Sequence, residues 1–143
     1  MDEKQVTKIK EYLKIINKNI DNIEKDNKDL VNFSIYEVGD RVQLYLNSDT
    51  IPTKVERILA KIVNNGLKKC LKEIEISKDD NTAVDLVVTS ISDNGQSISY
   101  ANEVTKYFTT VSDEELFTGF TGLLSRYRRI KVVYPKNNDE ENS

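Results

Sequence analysis

From Val6 the apolar positions recur in alternating steps of three and four: Val6, Ile9, Leu13, Ile16, Ile20, Ile23, then Asn27 and Leu30. This is a heptad, with Val6, Leu13, Ile20 and Asn27 at a and Ile9, Ile16, Ile23 and Leu30 at d. It predicts one long amphipathic helix, from Asp2 or Glu3 to Leu30, with acidic residues where the helix dipole favours them. The e and g positions, Lys10, Asn17 and Glu24 with Tyr12, Asn19 and Asp26, form no complementary charge set, so charge specifies a partner weakly. Two arrangements suit the seam. It can pack on the rest of its own chain, or residues 6–30 can join copies of the chain into a homo-oligomer.

The pattern then changes. Phe33 to Val38 and Arg41 to Leu46, with Val42, Leu44 and Leu46 alternating, read as two strands of a β-hairpin turning at Gly39-Asp40. Asn47 to Pro52 is a polar loop that ends in a helix-start proline. Helical spacing returns at Val55, Ile58, Leu59, Ile62, Val63, Leu67, Cys70, Leu71 and Ile74, and runs through Gly66 without a phase slip, which predicts one second helix. A loop at 78–82 leads to a strand from Ala83 to Ser92, a turn at Asp93-Asn94-Gly95 and a returning strand from Gln96 to Ala101. Val104 to Val111 fits either a strand or a short helix. Ser112 to Glu115 is a capping box, and Leu116, Phe117, Phe120, Leu123 and Leu124 form the inward face of the helix it starts. Ile130 to Tyr134 reads as a terminal strand closed by Pro135.

The expected fold class is therefore α+β. It has the heptad helix at 1–31, a hairpin, a second long helix, an antiparallel sheet of 4–6 short strands, a capped C-terminal helix and a terminal strand. Residues 1–135 form one domain, and residues 136–143 are an acidic, disordered tail.

Composition narrows the functional classes. The chain of 143 residues is 31% charged with a net charge of −3, and one basic cluster stands out, at residues 126–131. A globally acidic chain is a poor generic binder of nucleic acid. No apolar stretch approaches the roughly 18–20 residues of a membrane span, and the N-terminus has no signal-like apolar run, so a soluble, cytoplasmic protein is expected. Heavy use of Asn, Lys and Ile suits an AT-rich source such as a low-GC bacterium, a phage or another virus.

The missing residues speak against catalysis. There is no histidine and only one cysteine, so histidine-dependent triads, His-type zinc sites and CxxC redox pairs are excluded. None of the five glycines lies in a phosphate-loop or dinucleotide fingerprint. Carboxylates remain: Asp79-Asp80, which reads as a hairpin tip, and Asp113-Glu114-Glu115, which helix capping explains. Cys70 lies on an apolar stripe and reads as a core thiol.

The basic cluster Arg126, Tyr127, Arg128, Arg129 and Lys131 holds three of the five arginines beside an aromatic, which is a composition that phosphate or base stacking would use. Gly119-Phe-Thr-Gly122 just upstream matches GxxG but lacks basic residues inside it. Charge placed at a helix C-terminus, with arginine stems covering apolar surface, explains the cluster equally directly.

The sequence thus leads to a non-enzymatic regulatory, inhibitory or adaptor protein that binds another protein, with no cofactor and no metal. The alternative is nucleic-acid or nucleotide binding through Arg126–Lys131, and the least favoured reading is a carboxylate-metal nuclease.

Overall fold

A computed structural model describes residues 1–77 and 94–129, and the described residues are helical, with no strand among them. The elements are α1 (Glu3–Ile16), α2 (Ile20–Asp26), α3 (Leu30–Leu46), a 3-10 turn (Thr53–Val55), α4 (Glu56–Ser77), α5 (Asn94–Thr110), α6 (Asp113–Leu116) and α7 (Thr121–Ser125). The α+β expectation with its antiparallel sheet is overturned. The loop at 78–82, the strand read at Ala83–Ser92, the terminal strand Ile130–Tyr134 and the tail lie outside the described residues.

The hairpin is the clearest correction, because Phe33 to Leu46 is continuous helix. Helical spacing puts Val31, Ser34, Ile35, Val38, Val42 and Leu46 on one buried face. Leu44 decides between the two periods. An alternating strand would bury it with Val42 and Leu46, yet it is 77% exposed. Gly39 is no turn residue either. It is a smooth spot on the inner face of α3, against which the Met1 side chain lies. Asn47 ends the helix in the left-handed region at φ 55°, its N–H donating back to the carbonyls of Gln43 and Leu44.

The single heptad helix is also cut, twice. Asn17 leaves helical geometry. Its side-chain oxygen accepts from the Asn19 N–H at 3.0 Å, an Asx-type turn, and its amide donates to Oδ1 of buried Asn64 at 2.9 Å. The chain then doubles back. Lys10 meets Glu24 at 2.7 Å, and Lys14 meets Asp21 at 3.1 Å and Glu24 at 3.2 Å, so α2 returns along α1. The second break, at Asn27, starts α3. Each break is short, so Ile20, Ile23 and Leu30 still reach the core, which is why the heptad reads as unbroken.

Residues 56–77 form one helix through Gly66, as its stripe predicts. α4 is the hub, packed against α1, α3 and α5, while α3 also contacts α1 and α5. It buries Leu59, Ala60, Ile62, Val63, Leu67, Cys70 and Leu71, and Val55 is buried just before it. Gly66 lies where α5 crosses: a Cβ there would stand 2.5 Å from Phe108 Cζ and 2.9 Å from Tyr107 Cε2. The absent side chain makes room for two rings set edge to face, with centroids 5.1 Å apart.

α5 replaces the part of the turn and returning strand read at Asn94–Ala101, Asp93 lying outside the described residues, and settles Val104–Val111 as mainly helix, with Tyr100, Val104 and Phe108 inward. Ser112 caps α6, its hydroxyl accepting from the Glu115 N–H at 3.2 Å. The helix expected to follow is split instead into two short ones around Gly119, whose φ is +87°. Leu116, Phe117 and Leu124 turn inward, but Leu123 does not, being 40% exposed.

Candidate docking surface

The heptad side chains, Ile16 excepted, face their own chain. Val6, Ile9 and Leu13 are buried where α1 packs on α3 and α4, and Ile20, Ile23 and Leu30 are buried with them. Asn27 is half-buried. α1 and α4 run side by side in the same direction. Near their starts Gln5 Nε2 donates to the Ile51 carbonyl at 2.8 Å and to Glu56 Oε2 at 2.9 Å, and near the end of α1 Asn17 meets Asn64.

The basic cluster closes a helix end. The Arg129 N–H donates to the Leu46 carbonyl at 2.9 Å, and the Arg129 carbonyl accepts from Asn47 Nδ2 at 3.1 Å. The Arg128 guanidinium stacks 4.9 Å from the Tyr45 ring centre, and Tyr127 is half-buried against the core. The segment thus satisfies the C-terminus of α3, where unpaired carbonyls attract both donors and positive charge. Arg126 extends outward. Lys131 lies outside the described residues.

The acidic candidates divide in the same way. Asp113 pairs with Arg41 at 3.1 Å, and Glu115 lies 3.8 Å from Lys69. Asp79 and Asp80 lie outside the described residues. Among those residues no group of three His, Cys, Asp or Glu side chains is placed to hold a metal ion. Cys70 is buried, its thiol 3.9 Å from the Glu103 carbonyl.

Arg41 is a residue the sequence reading missed. Its guanidinium donates to the Val111 carbonyl, to the Phe108 carbonyl at 3.4 Å and to Asp113. It therefore ties α3 to the end of α5 and the start of α6. A strand assignment hid this, because on a helix Arg41 stands next to the buried Val42 and points sideways to α5.

What the fold leaves uncovered is a groove between the C-terminal half of α1 and the N-terminal half of α4. Tyr12, Ile15, Ile16, Arg57, Ala60 and Lys61 line it, and it encloses about 270 Å³. Ile15 is 74% exposed and Ile16 42% exposed, adjacent and on the same rim. Ala60, a small residue on α4, leaves the floor low, and the Arg57 guanidinium sits 5.1 Å over the Tyr12 ring. Ile16 is a heptad position that the break at Asn17 strands at the surface. Ile15 lies off the heptad, and its place in an Ile15-Ile16 pair was the available signal. A larger and more open depression beside exposed Leu44 is lined mainly by polar residues: Asp40, Gln43, Asn47, Ser48 and Asp49.

No protein-family model, no curated protein and no solved structure matches this chain. Among the described residues, no helix is long and apolar enough to cross a membrane.

Proposed function

We propose that this chain is a small non-enzymatic adaptor or regulatory protein that binds another protein through the α1–α4 groove. One observation carries the reading: two adjacent isoleucines stand exposed beside Tyr12 and Ala60, while the heptad residues Val6, Ile9, Leu13, Ile20, Ile23 and Leu30 are buried in the chain's own core. Exposed apolar side chains scattered singly are ordinary, whereas a contiguous pair lining a concave apolar groove is a contact surface. No reaction is invoked. The chain lacks histidine, its one cysteine is buried, and Asp113 and Glu115 sit beside Arg41 and Lys69.

Deleting residues 1–31 to test association would remove Val6, Ile9 and Leu13 from the core, so the test must leave α1 in place. A benzophenone amino acid is introduced at position 15 of the full chain and, as a control, at exposed position 105 on α5, and both are irradiated in the native source. A discrete adduct from position 15 alone, lost when Ile16→Asp is added, is the expected result. Its mass separates a second copy from a different protein. No adduct, or the same products from position 105, would remove the groove from consideration.

A further inference from the structure

The groove has a charge as well as a shape. On α4 the exposed residues Arg57, Lys61, Asn65 and Lys68 follow one another in steps of four, four and three, which places them on one face of the helix. Lys54 precedes them in the 3-10 turn, and Lys69 flanks them. From Thr53 to Leu71 the only acid is Glu56, and it is buried. Lys69 has Glu115 beside it, but among the described residues Lys54, Arg57, Lys61 and Lys68 form no ion pair. On a chain of net charge −3 the described residues thus present a cationic stripe. From Arg57 to Lys68 it extends about 16 Å at 1.5 Å per residue, or three helical turns. One edge of the stripe is the rim of the groove, where Arg57 and Lys61 stand beside Tyr12, Ile15 and Ile16. The stripe leads on to another recess, lined by Asn65, Lys68, Lys69, Tyr107, Leu116 and the acidic Glu115, among others.

The geometry points to an acidic amphipathic helix of a partner protein as the occupant of this surface. The inference rests on the groove being a protein-docking site and adds the partner's chemistry. A trough between two parallel helices accepts a third helix laid along it, with apolar anchors at i, i+3, i+4 and i+7 entering the groove. Glutamates or aspartates flanking those anchors would then meet Arg57, Lys61 and Lys68. Such complementarity sets register and association rate, and it rejects partners of the wrong sign. Nucleic acid is the weaker match. A phosphate backbone gains nothing from Ile15 and Ile16, and the stripe offers one arginine for bidentate contact.

The test uses the full chain and three labelled 14-residue peptides that share one set of leucine anchors and carry Glu, Gln or Lys at every other position. A 14-nucleotide single strand and its duplex complete the set. Fluorescence anisotropy is read at low and high salt. The Glu peptide should bind at least tenfold tighter than the Gln peptide, and the Lys peptide should not bind. Raising the salt should narrow the Glu–Gln difference. Arg57→Glu with Lys61→Glu should exchange the preference from the Glu to the Lys peptide. Arg57→Gln with Lys61→Gln should erase it, and Ile15→Asp should weaken every peptide. All three positions are solvent-exposed, and circular dichroism confirms that each variant is folded.

Equal binding of the Glu and Gln peptides, both lost in Ile15→Asp, would overturn the acidic partner while sparing the groove. No peptide binding at all would overturn both. Tighter binding of either DNA than of the Glu peptide would assign the stripe to phosphate instead.

Discussion

Gly66 lies mid-helix, and a glycine there costs about 1 kcal/mol relative to alanine. On an open helix face, Gly66→Ala would therefore stabilise the protein. At the α4–α5 crossing the opposite should happen. The new methyl would stand 2.5 Å from Phe108 Cζ, 2.7 Å from Cε1 and 2.9 Å from Tyr107 Cε2. Phe108 is 1% exposed, so its ring cannot swing into solvent to make room. Overpacking of this kind typically costs about 1–3 kcal/mol. Set against the propensity gain, the net effect should be a destabilisation of about 1 kcal/mol, or a Tm lower by on the order of 3 °C for a chain of this size. The assay is urea unfolding followed by circular dichroism at 222 nm, with Gly66→Ala measured both alone and with Phe108→Leu. Shortening the ring should make the alanine neutral or stabilising, so the two changes should couple strongly. Stabilisation by Gly66→Ala alone would refute the crossing. An unchanged cost in the Phe108→Leu background would show that Gly66 accommodates something other than that ring.

Three further outcomes are expected. Leu44→Gln should change stability by less than about 0.5 kcal/mol, as at other exposed helix positions, whereas a hairpin burying Leu44 would lose about 1.5–3 kcal/mol; urea midpoints separate the two. Arg41→Met keeps the stem but removes the donors to the Phe108 and Val111 carbonyls and to Asp113, and should cost about 1–3 kcal/mol. Hydrogen exchange should then quicken first around residues 108–115, and uniform quickening would argue against a local clamp. Burial, and secondarily the neighbouring Cys70, push the Tyr100 phenol above its ordinary value of 10.0. The folded state therefore holds a proton that the unfolded chain releases near pH 10. This contribution to stability is complete below about pH 10 and is lost progressively as pH rises towards the folded value, by up to about 1.4 kcal/mol per pH unit. Tyr100→Phe should flatten that decline in urea midpoints between pH 9 and 11, and an equal decline in the variant would remove Tyr100 as its source.

Legibility followed the length and distinctness of each apolar pattern. Val55 to Ile74 carries its stripe over many turns and was readable as one helix despite Gly66. Ser112 was readable as a cap because its role is local. Phe33–Leu46 was not, because Val42, Leu44 and Leu46 satisfy a period of two while Val31, Ile35, Val38, Val42 and Leu46 satisfy a period of 3.6. Only burial chooses between them. Gly39-Asp40 misled because a glycine that serves close packing and a glycine that serves a turn look alike in sequence. Of the candidate site, the arginine cluster was visible as charge. Its closure of α3 depends on residues more than 80 positions apart and was invisible. The α1–α4 groove exists only because two helices distant in sequence run side by side.

By itself the sequence determined which residue types are missing, histidine above all, and where the long apolar stripes run, since composition and periodicity are local properties of the chain. Tertiary structure alone decided that the heptad is an internal seam broken at Asn17, and that α4 presents one cationic face beside an apolar groove. Both depend on which side chains the other helices leave in contact with water, and that is settled only when every apolar stripe competes for the same core.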